Sequence, residues 1–298
     1  MSEQASAVRP VAVDAPGTGA RLRHALYRAR PWLLTLGGIV IAGCYLFPVY
    51  WMAISSLKAN PELFAAVPTL YPHAPTLAAF RWIFQRENVG QYLQNSAIIS
   101  FSVTALTLVL ATGAAYALAR TRALWTSAVV VAIMAVQVLP PPLLVTPMFV
   151  IFRQIALVNT QFAVILATTT KVLPFAIIML RTSFAQIPVE LEEAARVDGC
   201  PRLGAFFRVT LPLARTGYIV VSSLVFLLAY GEFVYPLSLM NRKELQPAPV
   251  GLYSFVGADY ADWSDALAFA TVIVAPVIVL YMFLQRRIVS GLTAGALK

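Results

Sequence analysis

The sequence predicts an all-α, polytopic membrane protein with six transmembrane helices and one long polar loop, and three observations carry that expectation. Hydrophobic residues make up 59% of the chain and charged residues 12%, with a mean hydropathy of +0.76. That is far more apolar and less charged than a water-soluble domain. Crossing ~30 Å of hydrocarbon takes about 20 helical residues, and six runs qualify: 32–57, 94–119, 124–152, 160–184, 213–240 and 266–285. None of them alternates apolar and polar residues as the strands of a membrane barrel do.

The basic residues orient these spans. Of the 22 Lys and Arg, 15 fall on one side of a six-span arrangement (Arg9 to Arg30, Arg120, Arg122, Arg181, Arg196 to Arg215, Arg286, Arg287, Lys298). Six fall on the other side, and Lys171 lies inside a span. Basic residues are retained in the cytoplasm, so both termini and the loop between the fourth and fifth spans are expected there. The net charge of +9 then calls for no nucleic acid partner, since the basic residues flank spans and form no aromatic-interleaved patch.

The elements follow in order. Residues 1–30, with Pro10, Pro16, Gly17 and Gly19 and no apolar run, read as a flexible cytoplasmic tail. Residues 31–290 make the membrane domain, and 291–298 a short cytoplasmic tail. Ile41-Ala42-Gly43-Cys44 has the look of a lipoprotein processing box, but the apolar run continues to Leu57. Cys44 mid-membrane and Cys200 in a loop are expected to form no disulfide. The external loop 58–93 carries Pro61, Pro68, Pro72 and Pro75, with Trp82, Phe84 and Tyr92 expected along the membrane surface. A second external loop, 241–265, suits either a soluble partner or a plain solvated connector. In the third span, Pro140-Pro141-Pro142 and Pro147 are expected to break the helix, either lining a cavity or as packing kinks.

The polar loop 185–212 is the most informative segment. Pro188 is placed to open a short helix whose first turns hold Glu190, Glu192 and Glu193, where the helix dipole favours them. Glu192 and Arg196 stand four apart in the favourable order, and Asp198-Gly199 supplies a turn that Gly takes with positive φ. A second helix from Pro201 is expected to put Leu203, Phe206 and Phe207 on one face, too much apolar surface to leave uncovered.

The run Glu193-Ala194-Ala195, then Gly199, then Val209-x-Leu211-Pro212 resembles the coupling motif of permease subunits of ATP-binding-cassette (ABC) importers. Asn95-Ser96, Ala114 to Arg120 and Gln285 to Lys298 sharpen the resemblance to the maltose-type carbohydrate permeases. It implies a second homologous permease subunit, ABC ATPase subunits that bind Mg-ATP, an extracytoplasmic solute-binding protein, and surrounding membrane lipid. It also implies ATPase contacts at Glu193, Ala194, Ala195, Asp198, Gly199, Leu203, Phe206 and Phe207, and along the tail at Gly291, Leu292, Thr293 and Gly295. One departure stands out: Tyr230-Gly231-Glu232-Phe233 occupies a place where members often have an aromatic, Asn and an acid.

Two intramembrane charges need partners. Lys171 lies near the middle of its span, where a charge costs about 2.5 to 3.5 kcal/mol even on insertion scales, and Glu232 lies at a similar depth. They form an ion pair or bind a polar solute, helped by Gln137, Thr168, Thr169, Tyr230 or Tyr235. No phosphate-binding loop, nucleophile elbow or zinc motif is present, and His24 and His73 fall on opposite sides of the membrane. The expected chain is thus no enzyme, has no catalytic or metal-ligating residues, and holds no cofactor of its own. The resemblance to maltose-type permeases implies that it passes a sugar or sugar derivative inward across the bacterial inner membrane by alternating access. An ion-coupled carrier using Lys171 and Glu232 is the alternative, and a non-transport scaffold the third reading.

Overall fold

The computed structural model describes residues 18–121, 123, 125–255 and 262–296, with side chains between 32 and 285 in those ranges except Arg86. Every regular element among the described residues is helical. The chain divides between Trp51 and Met52 into two compact units. The first is most of helix α1 (Thr18–Ser55), apolar and long enough to cross a membrane from Trp32 onward. Its start at Thr18 corrects the expected flexible tail. The stretch after Gly19 is rich in Ala, Leu and Arg, which favour helix, and extending an existing helix needs no new nucleus. Residues 1–17 lie outside the described residues.

The second unit begins with α2 (Asn60–Leu63), α3 (Ala78–Arg86), α4 (Val89–Arg120), α5 (Trp125–Val136), α6 (Pro141–Gln154) and α7 (Gln161–Ala185). It continues with α8 (Val189–Val197), α9 (Arg202–Ala205), a π-helical turn (Phe206–Thr210), α10 (Leu211–Leu213) and α11 (Arg215–Tyr230). After α12 (Val234–Leu239), a 3-10 turn (Lys243–Leu245) and α13 (Ala248–Ser254), the long helix α14 (Trp263–Ala296) closes the chain. Four helices, α1, α4, α7 and α14, are long and apolar enough to span a bilayer, and two bent pairs bring the number of spans to as many as six.

Those bends follow the prolines in part. Helices α5 and α6 meet at 91°, because Pro140 is extended and Pro141 and Pro142 open α6, where a missing N–H costs nothing. Pro147, expected to add to the break, sits inside α6 without ending it. The fifth span also departs from expectation: it stops at Tyr230, turns through Gly231 to Phe233, and resumes as α12. Pro236 has no N–H to offer the Glu232 carbonyl. In its place the Glu232 carboxylate accepts the amides of Val234 at 3.0 Å and Tyr235 at 3.3 Å.

Helices α4 and α7 run along each other and α11 packs on both. Buried Ser96, Ser100 and Thr104, then Thr107, Ala111 and Ala115, recur every four residues on α4, and Ala111 and Ala115 share one core with Ala163, Ala167 and Ala176 of α7. Small residues let helix backbones approach in a membrane, and the hydroxyls of Ser100 and Thr104 turn back to their own helix's carbonyls. Gly217 on α11 is needed for the same reason, since a Cβ there would collide with Ser183 of α7.

A second, aromatic core forms where α3, α13 and α14 meet the start of α4. Tyr92 lies 5.8 Å from Phe269, Phe255 lies 5.2 Å from Phe269, and Trp82 lies 6.3 Å from Phe255. Tyr92 therefore packs inward rather than along the membrane surface, while Trp82 is half-buried and Phe84 remains exposed. The segment after Asn241 is tied down as well: Asn95 donates to the carbonyls of Glu244 (2.8 Å) and Gln246 (3.0 Å), and Ser96 accepts the Ala248 amide (2.8 Å).

Candidate functional site

The polar loop is built as expected at its start. Pro188 precedes α8, Glu190 and Glu192 occupy its first turn and Arg196 its last. Gly199 takes φ +87°, a left-handed conformation that side-chain-bearing residues adopt at a cost. The expected pairing of Glu192 with Arg196 is not what forms. Glu192 is buried and turns toward α4, where Arg120 reaches Oε1 through Nε at 2.9 Å and Nη2 at 2.5 Å. Tyr116 donates to Oε2 at 2.7 Å and Thr210 to Oε1 at 2.7 Å. Two charge-assisted contacts between largely buried side chains outcompete one solvated i,i+4 pair.

Arg120 does more than neutralise this acid. Its Nη1 donates to the carbonyls of Phe184 (3.2 Å) and Ile187 (3.1 Å) at the end of α7, so one guanidinium joins α4, α7 and α8. Burial alone would raise the Glu192 carboxyl; hydrogen bonds from Arg120, Thr210 and Tyr116, with the Arg120 charge, outweigh it and hold the group below its ordinary value. Around this clasp Phe206 sits 4.8 Å from Tyr116 and 6.1 Å from Phe184, ring centroid to centroid.

That inward turn of Phe206 corrects the expected single apolar face. Phe206 is buried, whereas Leu203 and Phe207 stand 73% and 60% exposed. The π turn rotates successive residues out of helical register, which splits the three. Glu193, Ala194, Asp198 and Gly199 are exposed and Ala195 half-buried, so the motif residues present a surface while Glu192 anchors it from behind. A cleft of about 620 Å³ opens beside them, lined by Tyr116, Arg120, Glu193, Arg196 and Arg202.

Glu192 and Arg120 were missed as site residues by the sequence reading. The signal was there: Tyr116 and Arg120 lie four apart on one helix face, and Glu192 shares a face of α8 with Val189. Three neighbouring carboxylates hid which one turns inward. The helix backbone continues through the terminal run to Ala296, while the side chains of Gly291, Leu292, Thr293 and Gly295 lie outside the described residues.

A second site lies at the bends. Lys171 Nζ donates to Glu232 Oε2 at 2.6 Å, joining α7 to the turn between α11 and α12 as an ion pair. The Glu232 side chain is 2% exposed and that of Lys171 34%. Lys171, Gln137 and Tyr235 line one cavity of about 250 Å³ at the break between α5 and α6. Tyr230 is not part of it, because its hydroxyl donates to the Ile273 carbonyl of α14 at 3.1 Å. Thr168 and Thr169 are buried in the helix contacts rather than at that cavity.

Bent, proline-broken helices long and apolar enough to span a bilayer, with an ion pair beside a cavity at one break and a clasped polar loop, are the build of a membrane protein with a polar site among its spans. Residues 108–293 match the model of the family described as "binding-protein-dependent transport system inner membrane component", and the chain belongs to that family. It is 39% identical over 253 residues to the sulfoquinovosyl glycerol transport system permease of Agrobacterium fabrum, covering 85% of this chain and 89% of that one. It is 36% identical over 261 residues to the trehalose transport system permease of Mycobacterium tuberculosis, covering 87% and 94%. A solved bacterial ABC transporter that imports the acidic polysaccharide alginate shares the fold, with a TM-score of 0.72 at 19% identity over 87% of this chain and 97% of that one. Family membership selects the permease of an ABC importer over the ion-coupled carrier and the scaffold.

Proposed function

We propose that this chain is one permease subunit of a carbohydrate importer, passing a sugar or sugar derivative into the cytoplasm. The observation that carries the proposal is the clasp behind the coupling motif. A short helix pinned to α4 and α7 by Arg120 and Glu192, with Glu193, Ala194, Gly199, Leu203 and Phe207 facing outward, is suited to take a push from a docked protein. Partner ATPases, holding Mg-ATP, dock on this face and hydrolyse ATP. Their closure moves α8 to α10 as a lever and rearranges the bent helices by alternating access. The sugar assignment draws on the names of the relatives, which carry sulfoquinovosyl glycerol and trehalose.

A second homologous permease completes the pathway, a solute-binding protein docks at the end formed by α3, α13 and the 3-10 turn, and lipid surrounds the apolar helices. Both termini and the α8 to α10 loop face the cytoplasm, with the residues at 291–298 extending toward the ATPases. The test is expression of the tagged chain with its neighbouring transport proteins. An ATPase copurifies, and sugar uptake into vesicles requires internal ATP. Uptake that runs on an ion gradient without any ATPase sinks the proposal. Reporter fusions after Arg122 and Ala205 behave as cytoplasmic and those after Pro75 as external; the reverse pattern removes the docking face.

A further inference from the structure

The cavity at the helix break has an uneven chemistry. Its one nearby carboxylate, Glu232, is fully engaged: Oε2 accepts Lys171 and Oε1 accepts two backbone amides. The donors around it are not. An ammonium carries three N–H groups, and among the described residues the hydrogen bond of Lys171 is the single one to Glu232. Tyr235 is 0% exposed, and its hydroxyl has no hydrogen-bond partner among the described residues although the residue lines the cavity. Leaving a buried hydroxyl unmatched costs about 1 to 3 kcal/mol. Gln137 also lines the cavity and brings two amide N–H donors with one carbonyl acceptor. The remaining lining is aliphatic or aromatic, as at Val136, Leu144 and Phe175, and offers no competing acceptor.

A space whose carboxylate is engaged, while a neighbouring ammonium keeps N–H groups to spare, is complementary to a group that accepts hydrogen bonds and carries negative charge. We propose that this cavity is a subsite for an anionic substituent on the transported sugar, a carboxylate, sulfate or phosphate, held by Lys171, Tyr235 and Gln137. Two peptide amides on Oε1 weaken the opposition of the Glu232 carboxylate to such a group. At about 250 Å³ the space is smaller than the ~300 to 1,000 Å³ filled by drug-sized ligands, in keeping with a subsite for one substituent. A neutral sugar would leave the charged donors facing hydroxyls that both give and accept, a poorer match. This inference rests on the reading that the chain passes a carbohydrate, and it names which carbohydrates.

The experiment uses the complete transporter in nanodiscs, without its solute-binding protein, so that the permease's own preference is read. Glucuronate, glucose 6-sulfate, glucose 6-phosphate and glucose are the probes for binding, and ATP-dependent uptake of each is followed with the binding protein restored. At least one anion binds about ten-fold tighter than glucose, the size of one hydrogen bond to a charged group, and which anion wins separates the three sources. Tyr235→Phe removes one oxygen and narrows that preference several-fold. The double variant Lys171→Gln with Glu232→Gln, which leaves no buried charge alone, abolishes it. Equal binding of glucose and all three anions, or an anion preference untouched in both variants, overturns the subsite while the importer reading stands. Absence of ATP-dependent uptake for every sugar, with an ion gradient sufficient instead, overturns both.

Discussion

Two buried carboxylates, Glu192 and Glu232, meet a basic side chain in this protein, and their surroundings differ in one respect. At Glu192 the partner Arg120 is itself used up, with side-chain exposures of 13% and 8% and further hydrogen bonds to Phe184 and Ile187. At Glu232 the acid is sealed but its partner Lys171 is one-third open to a cavity. The same pairing of charges thus serves two ends. A closed pair fixes helices relative to one another; a half-open pair keeps a cation in the membrane and leaves part of it available.

The closed pair gives the largest expected effect. Arg120→Ala or Glu192→Ala strands a buried charge, and breaking such a pair costs about 3 to 5 kcal/mol. Detergent-solubilised variants should unfold far earlier and lose copurified ATPase, while Arg120→Met with Glu192→Leu together recover most of the thermal stability. A single-variant loss below about 1 kcal/mol would mean the clasp behaves like an exposed pair. Acid tests the same contact. Because the Glu192 carboxyl is held below its unfolded value, its contribution is fully present above the unfolded value and disappears as pH falls through the folded one. ATPase retention on the purified complex should therefore drop on acidification in the wild type, and in Glu192→Gln it should be weaker but flatter with pH.

Next comes Gly199, whose φ of +87° a β-branched residue resists; the strain is about 1 to 3 kcal/mol. Gly199→Val should insert normally yet lose uptake and solute-stimulated ATP hydrolysis, since the turn between α8 and α9 has to reshape. Glu193→Lys, by contrast, alters only the exposed face. Normal folding with reduced ATPase association in that variant separates surface from anchor.

The half-open pair should be less costly to disturb. Solvent screening at Lys171 discounts the interaction, so Lys171→Met or Glu232→Gln is expected to lower stability by about 1 to 2 kcal/mol. The double variant should lose less than the sum of the singles. Strict additivity would show that the two groups do not interact despite lying 2.6 Å apart.

Much of this architecture was legible in the sequence because hydropathy reports helices that must satisfy their own backbones. The apolar runs, the proline break near residue 140 and the left-handed Gly199 follow from residue type and spacing, and the pairing of Lys171 with Glu232 is one of the two alternatives that spacing leaves open. What was not legible depended on which way a side chain turns. Glu190, Glu192 and Glu193 are equivalent in a dipole argument, and only packing against Tyr116 and Arg120 selects the middle one. Phe206 parts from Leu203 and Phe207 through a π turn that no periodicity announces. Tyr92 has the composition of an interface aromatic, yet Phe269, far along the chain, offers it a buried place. Tyr230 and Tyr235 looked alike from Glu232, and the helix break sends them to different neighbours.

Tyr235 gives the smallest expected effect and the finest test of the comparison. Its hydroxyl is buried with no partner among the described residues, so Tyr235→Phe removes a desolvated group and keeps the ring. In a closed site the same change would delete a hydrogen bond and cost about 1 kcal/mol. Here the solute-free protein should be unchanged or more stable by up to about 1 kcal/mol, read as a small upward shift in the unfolding midpoint. Tyr116→Phe supplies the contrast, because the Tyr116 hydroxyl donates to Glu192 at 2.7 Å and its removal should shift the midpoint downward. If both variants move the midpoint down together, the Tyr235 hydroxyl is bonded and the two carboxylates sit in sites of one kind. If they move it in opposite directions, the Tyr235 hydroxyl beside Lys171 is unmatched in the solute-free protein, whereas the Tyr116 hydroxyl is part of a strut.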